Sequence, residues 1–298
     1  MTPASTRPTT VSLVLGSGGA RGLAHIGVIQ WLGENGYDIR SIAGSSMGAL
    51  VGGIYAAGKL DVYAQWVLAL ERLQVLRLLD PTFSGSALFK GERIIGVLRE
   101  LIGDRAIEDL PIEFTAVATD LDSGEEVWLR QGKLFDAIHA SIATPLIFMP
   151  FRNGSRTLLD GALVNPLPLT PASGDETRLT VAVNLGGPAR VPAVPQPSPA
   201  KANGNDYRRR VRAFVESLGL ARVPAESMPG LVDIAFASMQ TMQDAIARLK
   251  LASCVPDVTV DIPRNACGFF EFWRAEELIS LGRERAEAAF SKARRTAA

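Results

Sequence analysis

The stretch from Ile39 to Ala56 restricts the fold of this chain more than any other. It reads I-R-S-I-A-G-S-S-M-G-A-L-V-G-G-I-Y-A: a strand-like approach through Ile39, Ile42 and Ala43, the pentapeptide Gly44-Ser45-Ser46-Met47-Gly48, and a small-residue helical run. A G-x-S-x-G between strand and helix is the context of a nucleophile elbow, in which a tight turn excludes side chains at Gly44 and Gly48 and exposes Ser46 Oγ at the tip. The helix that follows aims its first free N–H groups and positive dipole end at charge developing beside Ser46. A membrane span over Ser41 to Gly58 is the competing reading, since that run is uncharged and about as long as the shortest spanning helices. Its five glycines and three serines make it a poor lipid helix. A bare G-x-S-x-G also occurs in turns without chemistry, so the assignment of Ser46 depends on what assists it.

The 298 residues, 47% hydrophobic and 21% charged, suffice for one large domain or two small ones with a sizeable core. Net charge is zero, so no long-range field draws the chain to nucleic acid, and attraction to anionic membranes has to come from a local patch. Cys254 and Cys267 lack metal-ligand spacing and a histidine neighbour. They read as reduced core thiols, which fits a cytoplasmic protein, and neither metal nor cofactor is expected. Residues 1–10 are expected to be flexible. The apolar run Val11 to Leu15 is too short for a signal-peptide core, and no transmembrane helix or internal repeat is visible.

That same run, Val11 to Leu15, ends in glycines like a buried parallel strand entering a turn. Gly16-Ser17-Gly18-Gly19-Ala20-Arg21-Gly22 follows, then Leu23, Ile26, Val28, Ile29 and Leu32 at helical spacing. A glycine loop at a helix N-terminus cradles negative charge, either phosphate or oxyanion. Nucleotide binding fits poorly: Arg21 stands where a dinucleotide fingerprint has its last glycine, and no Lys-Ser/Thr pair closes the loop. Asp61 to Leu79 reads as one amphipathic helix ended by Pro81, Gly91 to Ile102 as another, and Pro111 to Thr119 as a strand paired antiparallel with Glu126 to Leu129. Phe135 to Ala143 reads as a helix. Leu146 to Phe151 is a core strand or packed loop, or the lining of an acyl pocket. Thr157 to Asp160 ends a short strand on an acid, and Arg178 to Leu185 is a further strand. From about 186 to 230 the composition turns Pro/Gly-rich and includes the basic run Tyr207 to Arg212. This is an insertion or lid, whose arginines form a solvated face or meet anionic head groups. A helix over Leu231 to Leu251, a strand over Val255 to Ile262 and a helix over Ala275 to Arg294 complete one domain from residue 11 to 298. Alternating strands and helices predict an α/β fold with a mostly parallel sheet.

A serine hydroxyl needs a base. His139 lies in a predicted helix and precedes the acid, the wrong order for an α/β-hydrolase triad. His25 sits one turn beyond the glycine loop, where packing or hydrogen bonding suits it better than catalysis. Asp160 remains: strand C-terminal ends converge on one rim in open α/β sheets, and burial can raise a carboxylate's pKa enough for it to hold a proton in transit. The expected chemistry is a Ser46–Asp160 dyad, with backbone N–H groups around Gly18, Gly19 and Ala20 holding the oxyanion.

Gly-x-Gly-Gly-x-Arg-Gly at Gly16 to Gly22, with His25-Ile26-Gly27-Val28 after it, G-x-S-x-G at Gly44 to Gly48, and Asp-Gly-Ala at Asp160 to Ala162 together resemble the patatin-like phospholipases. Within them the bacterial branch similar to the neuropathy target esterase catalytic domain is nearest. The resemblance runs from roughly Val11 to Val183, with a looser echo in the C-terminal helix. It implies a three-layer α/β/α fold and metal-free hydrolysis of phospholipid or lysophospholipid acyl esters. Carried over by position, Ser46 is the nucleophile, Asp160 the base, Gly18, Gly19 and Ala20 the oxyanion loop, and Arg21 the residue that orients it. The implied partners are a phospholipid or lysophospholipid and, transiently, a membrane surface, with a cytoplasmic location peripheral to the inner face of the membrane. Ser17 departs from the family's usual glycine, and its side chain is expected to narrow the loop's approach to the acyl group. Two alternatives stand beside hydrolysis. One is acyl transfer, as in the fold-related malonyl transacylases, whose histidine this chain does not place; the other is non-catalytic lipid binding.

Overall fold

A computed structural model describes residues 8–82, 87–172, 176–190 and 231–296. The chain begins with β1 (Thr9–Leu15), α1 (Ala24–Glu34), β2 (Tyr37–Ser45), α2 (Met47–Ala56), α3 (Leu60–Leu68), α4 (Arg72–Leu78), β3 (Ala87–Phe89) and α5 (Glu92–Ile102). It continues through β4 (Glu113–Asp120), β5 (Glu126–Leu129), α6 (Leu134–Ser141), β6 (Leu146–Phe148), β7 (Phe151–Asn153), β8 (Arg156–Asp160), α7 (Leu169–Ala172) and β9 (Leu179–Gly187). After the insertion come α8 (Leu231–Ser253), β10 (Val258–Pro263) and α9 (Ala275–Thr296). Two units divide the chain: Met1–Arg190 with Met239–Ala298, and Val191–Ser238. Of the second, residues 231–238 are described, as the start of α8.

Val11 to Leu15 are buried in succession, as a strand covered on both faces requires. The sheet runs in the order β10-β9-β1-β2-β4-β8-β7, with β5 also on β4. From β10 to β4 every neighbouring pair is parallel. The pairs β4–β5, β4–β8 and β8–β7 are antiparallel. The period of two along a strand sorts the core into two halves. Leu13, Leu15, Ile42, Val181 and Val183 pack with apolar residues of α1, α2 and α9 in the larger cluster. Val14, Ala43 and Ala182 pack with Leu169 and Ala172 of α7 and Ala247 of α8 in a thinner one. The three-layer α/β/α arrangement with a mostly parallel sheet is therefore the observed fold.

Four expectations change in detail. Asp61 to Leu79 is two helices, because Glu71 and Gln74 form a capping box that starts α4 afresh, with the Glu71 N–H donating to Gln74 Oε1 at 2.8 Å. Leu146 to Phe151 divides: β6 leaves the main sheet to pair in parallel with β3, and Phe151 opens β7. The insertion starts later than residue 186, since Gly186 and Gly187 end β9 and Arg190 exchanges two hydrogen bonds with Asn265. Likewise Thr9 and Thr10, expected to be flexible, are already in β1. Residues 1–7, most of the insertion and the basic run Tyr207 to Arg212 lie outside the described residues.

Candidate active site

β2 ends on Ser45, level with Val117 of β4, and α2 starts on Met47, so Ser46 alone makes the turn. Its backbone sits at φ 53° and ψ −121°, a strained conformation for a residue with a side chain. The glycines on either side allow it: a Cβ on Gly48 would fall 2.0 Å from the Leu15 carbonyl oxygen, and one on Gly44 2.5 Å from the Ala49 nitrogen. The turn is also pinned. The Ser46 N–H donates to Ser141 Oγ at 3.0 Å, and that hydroxyl donates to the Val117 carbonyl at 2.6 Å.

Ser46 Oγ donates to Asp160 Oδ2 at 2.8 Å, across 114 residues of chain. Thr144 Oγ1 donates to the same oxygen at 2.5 Å, and the Ala162 N–H to Oδ1 at 2.9 Å. The Asp160 main chain is fixed as well, its N–H donating to the Ala143 carbonyl and its carbonyl accepting from Thr119 Oγ1. Burial pushes the Asp160 carboxyl above the ordinary carboxylate range, and the bonds from Thr144, Ala162 and Ser46 pull it back. The route to this contact differs from the one the sequence suggests. β8 is antiparallel to β4, so Asp160 does not arrive on a shared C-terminal rim. β8 enters from beyond the end of β4, and its last residue pairs with Ala118, one residue past the Val117 that pairs with Ser45.

The glycine loop divides its N–H groups. Gly16 donates to the Val183 carbonyl, Ser17 to Pro166 and Ala20 to Phe269. Ala20, expected among the oxyanion donors, is thus committed elsewhere, while Gly18 and Gly19 have no acceptor among the described residues. Arg21 donates from Nε to the Gly18 carbonyl at 3.1 Å and from Nη1 to the Arg264 carbonyl at 2.8 Å, and so ties the loop down. Burial lowers its pKa against the pull of Asp244. Ser17 faces a small polar recess with Asn184 and Asp244, not the apolar cleft described below, so it does not narrow the approach to Ser46. His25 is fully buried, and because a carbonyl only accepts, Nε2 carries the hydrogen shared with Gly16 at 2.8 Å. Burial holds His25 down at about 4. His139 packs on Phe151 and is likewise pushed down by burial. Neither histidine lines the cleft.

Gly19, Ser46 and Thr144 border an apolar cleft of about 810 Å³, counting the part open to solvent. Trp66, Leu70, Phe148 and Phe270 are among its walls, so the run Leu146 to Phe151 contributes one lining ring. Ser141, Thr144 and the aromatic segment Phe269 to Phe272 were not singled out in the sequence. A hydroxyl inside the apolar run H-A-S-I-A-T-P is a usable signal for the first two. Among the described residues no three His, Cys, Asp or Glu side chains gather to hold a metal, and no helix is long and apolar enough to cross a membrane. Cys254 and Cys267 are unpaired and half-buried.

Residues 13–173 match the family model described as patatin-like phospholipase. The uncharacterized NTE family protein Rv1063c of Mycobacterium tuberculosis is 39% identical over 92% of this chain and 89% of its own length. The patatin-like phospholipase domain-containing protein ZK370.4 of Caenorhabditis elegans is 34% identical over 59% of this chain and 14% of its own length. The patatin-like phospholipase domain-containing protein 7 of Rattus norvegicus is 29% identical over the same shares.

Proposed function

Because the chain belongs to the patatin-like phospholipase family, a family of lipid hydrolases, we propose that it cleaves carboxylic esters of phospholipids or lysophospholipids with a Ser46–Asp160 dyad. The observation that carries this reading is the 2.8 Å hydrogen bond from Ser46 Oγ to a buried carboxylate beside an apolar cleft. A protein that only bound lipid would have no need to align a strained serine with a desolvated base.

The acyl chain enters the cleft and brings its ester carbonyl to Ser46. As Oγ bonds to the carbonyl carbon, its proton passes to Asp160 Oδ2, a carboxylate that burial makes more basic than an exposed one. The developing oxyanion is met by the N–H groups of Gly18 and Gly19 and by the N-terminal end of α2. Collapse breaks the bond to the leaving alcohol, which takes the proton from Asp160. In the second half Asp160 draws a proton from water, the hydroxide attacks the acyl-enzyme, and Ser46 recovers the proton as the fatty acid departs. Such a substrate would bring the protein into transient contact with a membrane surface, and we place it as a cytoplasmic protein peripheral to that surface.

Labelling with a fluorophosphonate ester, followed by mass spectrometry of the modified peptide, tests the dyad. Adduct is expected on Ser46 and is expected to vanish in Asp160→Asn. A folded, monodisperse protein that takes no label would shift the assignment to lipid binding.

A further inference from the structure

We propose that Thr144 is a positioning residue for the dyad, a hydroxyl that holds the ionised carboxylate of Asp160 toward Ser46 and releases it when the proton arrives. The inference rests on the Ser46–Asp160 reading. Thr144 Oγ1 and Ser46 Oγ donate to the same oxygen, Oδ2, so in the resting site that oxygen accepts two hydroxyls while Oδ1 accepts the Ala162 N–H. Once Oδ2 takes the proton from Ser46 it becomes a donor itself, and a second donor facing it at 2.5 Å is repelled. Thr144 has an alternative acceptor: the Ile142 carbonyl lies 3.3 Å from Oγ1. Rotation of one hydroxyl hydrogen moves the bond from Asp160 to Ile142 and needs no heavy-atom movement. When the leaving alcohol takes the proton from Oδ2, the hydrogen turns back.

The backbone around Thr144 is built to fix this hydroxyl. Its carbonyl accepts from both Ile147 and Phe148 N–H, its N–H donates to Ile142, and Ala143 receives the Asp160 N–H. Two residues on, Leu146 is held at φ 68°. Among the described residues only Ser46 and Leu146 have positive φ without being glycine. The strained positions thus belong to the two turns whose hydroxyls meet on one carboxylate oxygen, and such strain persists only where the surroundings over-determine it.

Several charged or titratable groups lie on the elements packed around Asp160: Asp120 on β4, paired with Arg156 on β8, Arg152 on β7, and Asp136 and His139 on α6. None of them acts on the Asp160 carboxyl, which feels burial first and then the bonds from Thr144, the Ala162 N–H and Ser46. Removing the Thr144 donor therefore makes the ionised form harder to keep.

The test is the pH profile of kcat/KM for hydrolysis of a p-nitrophenyl acyl ester by the full chain, from about pH 4 to about pH 9. In Thr144→Val, which keeps the side-chain shape, the acid limb is expected to move up by about one pH unit. Thr144→Ser should return it to the wild-type position, and Thr144→Ala repeats the measurement should the valine variant fold poorly. A merely structural role would lower the unfolding midpoint and leave the limb in place. Coincident limbs in Thr144→Val or Thr144→Ala and wild type, or a serine variant as shifted as the valine one, would overturn the inference. Ser46→Ala run in parallel separates the two levels. Hydrolysis surviving in Ser46→Ala sinks the dyad itself, whereas an inactive Ser46→Ala with an unmoved limb in the Thr144 variants sinks only the role of Thr144.

Discussion

The chain builds a parallel strand, a glycine turn and a helix twice in its first 56 residues, and the two copies are put to opposite uses. In the β2–α2 copy the glycines flank the turn and the strained position holds a serine, so what emerges is a side chain. In the β1–α1 copy the strained position is itself a glycine, Gly19 at φ 56°, and what emerges is backbone. The side chains of that loop turn inward: Arg21 grips the Gly18 carbonyl and His25 the Gly16 carbonyl. One turn puts forward a hydroxyl, and the other ties down its own carbonyls and leaves the N–H groups of Gly18 and Gly19 without an acceptor among the described residues.

The largest effect should come from the side-chain turn. Ser46→Ala and Asp160→Asn are each expected to cost about 10⁴-fold or more in esterase turnover, with a thermal midpoint near that of the wild type. An active Ser46→Ala protein would erase the contrast between the two turns.

The next effect is on stability and belongs to the backbone turn. His25 is pushed by burial to about 4 in the folded protein, below its ordinary value of about 6.5 in the unfolded chain. The unfolded chain therefore gains a proton first as pH falls. The contribution of His25 is fully present above about pH 6.5 and is lost toward pH 4, to the extent of roughly 3 kcal/mol. Urea unfolding of His25→Gln across that window should show a correspondingly flatter pH dependence than the wild type. Equal slopes would mean that His25 does not stay neutral in the fold.

The smallest of the three sharpens the division among N–H groups. A Cβ on Gly19 would meet the Phe269 ring at 2.5 Å, in a conformation that disfavours any side chain. Displacing that N–H in Gly19→Ala should lower kcat about 10²-fold, near 2.7 kcal/mol. A variant with unchanged kcat would exclude Gly19 as an oxyanion donor.

Both turns were legible in the sequence because each is local: glycine spacing, the strand before and the helix after all fall within about 20 residues. The pairing of Ser46 with Asp160 was legible by elimination of the two histidines and from the motif resemblance, and the geometric reason attached to it did not hold, since strand direction is set by pairing partners and not by the strand's own residues. Ser141, Thr144 and Phe269 escaped because their parts depend on what faces them. A serine in an apolar helix looks the same whether it pins an elbow or fills a gap. The fate of the Ala20 N–H likewise depends on a carbonyl 249 residues away, brought there by the stretch between β10 and α9.

The two members of the dyad are not held with equal security. Ser46 follows a strand in the middle of the sheet, gripped by β1 over seven residue pairs and by β4 over five. Asp160 ends β8, joined to β4 over three pairs and, among the described residues, flanked on its outer side in the sheet by β7, a strand of three residues. Sheets open first where the ladder is short. An excursion that peels β8 and β7 from the edge parts Asp160 from Ser46 while the parallel body stands, so on the proposed dyad activity is lost before the fold is. Residual activity under heat or denaturant then becomes a gauge of one edge, and the far-ultraviolet signal a gauge of the remainder.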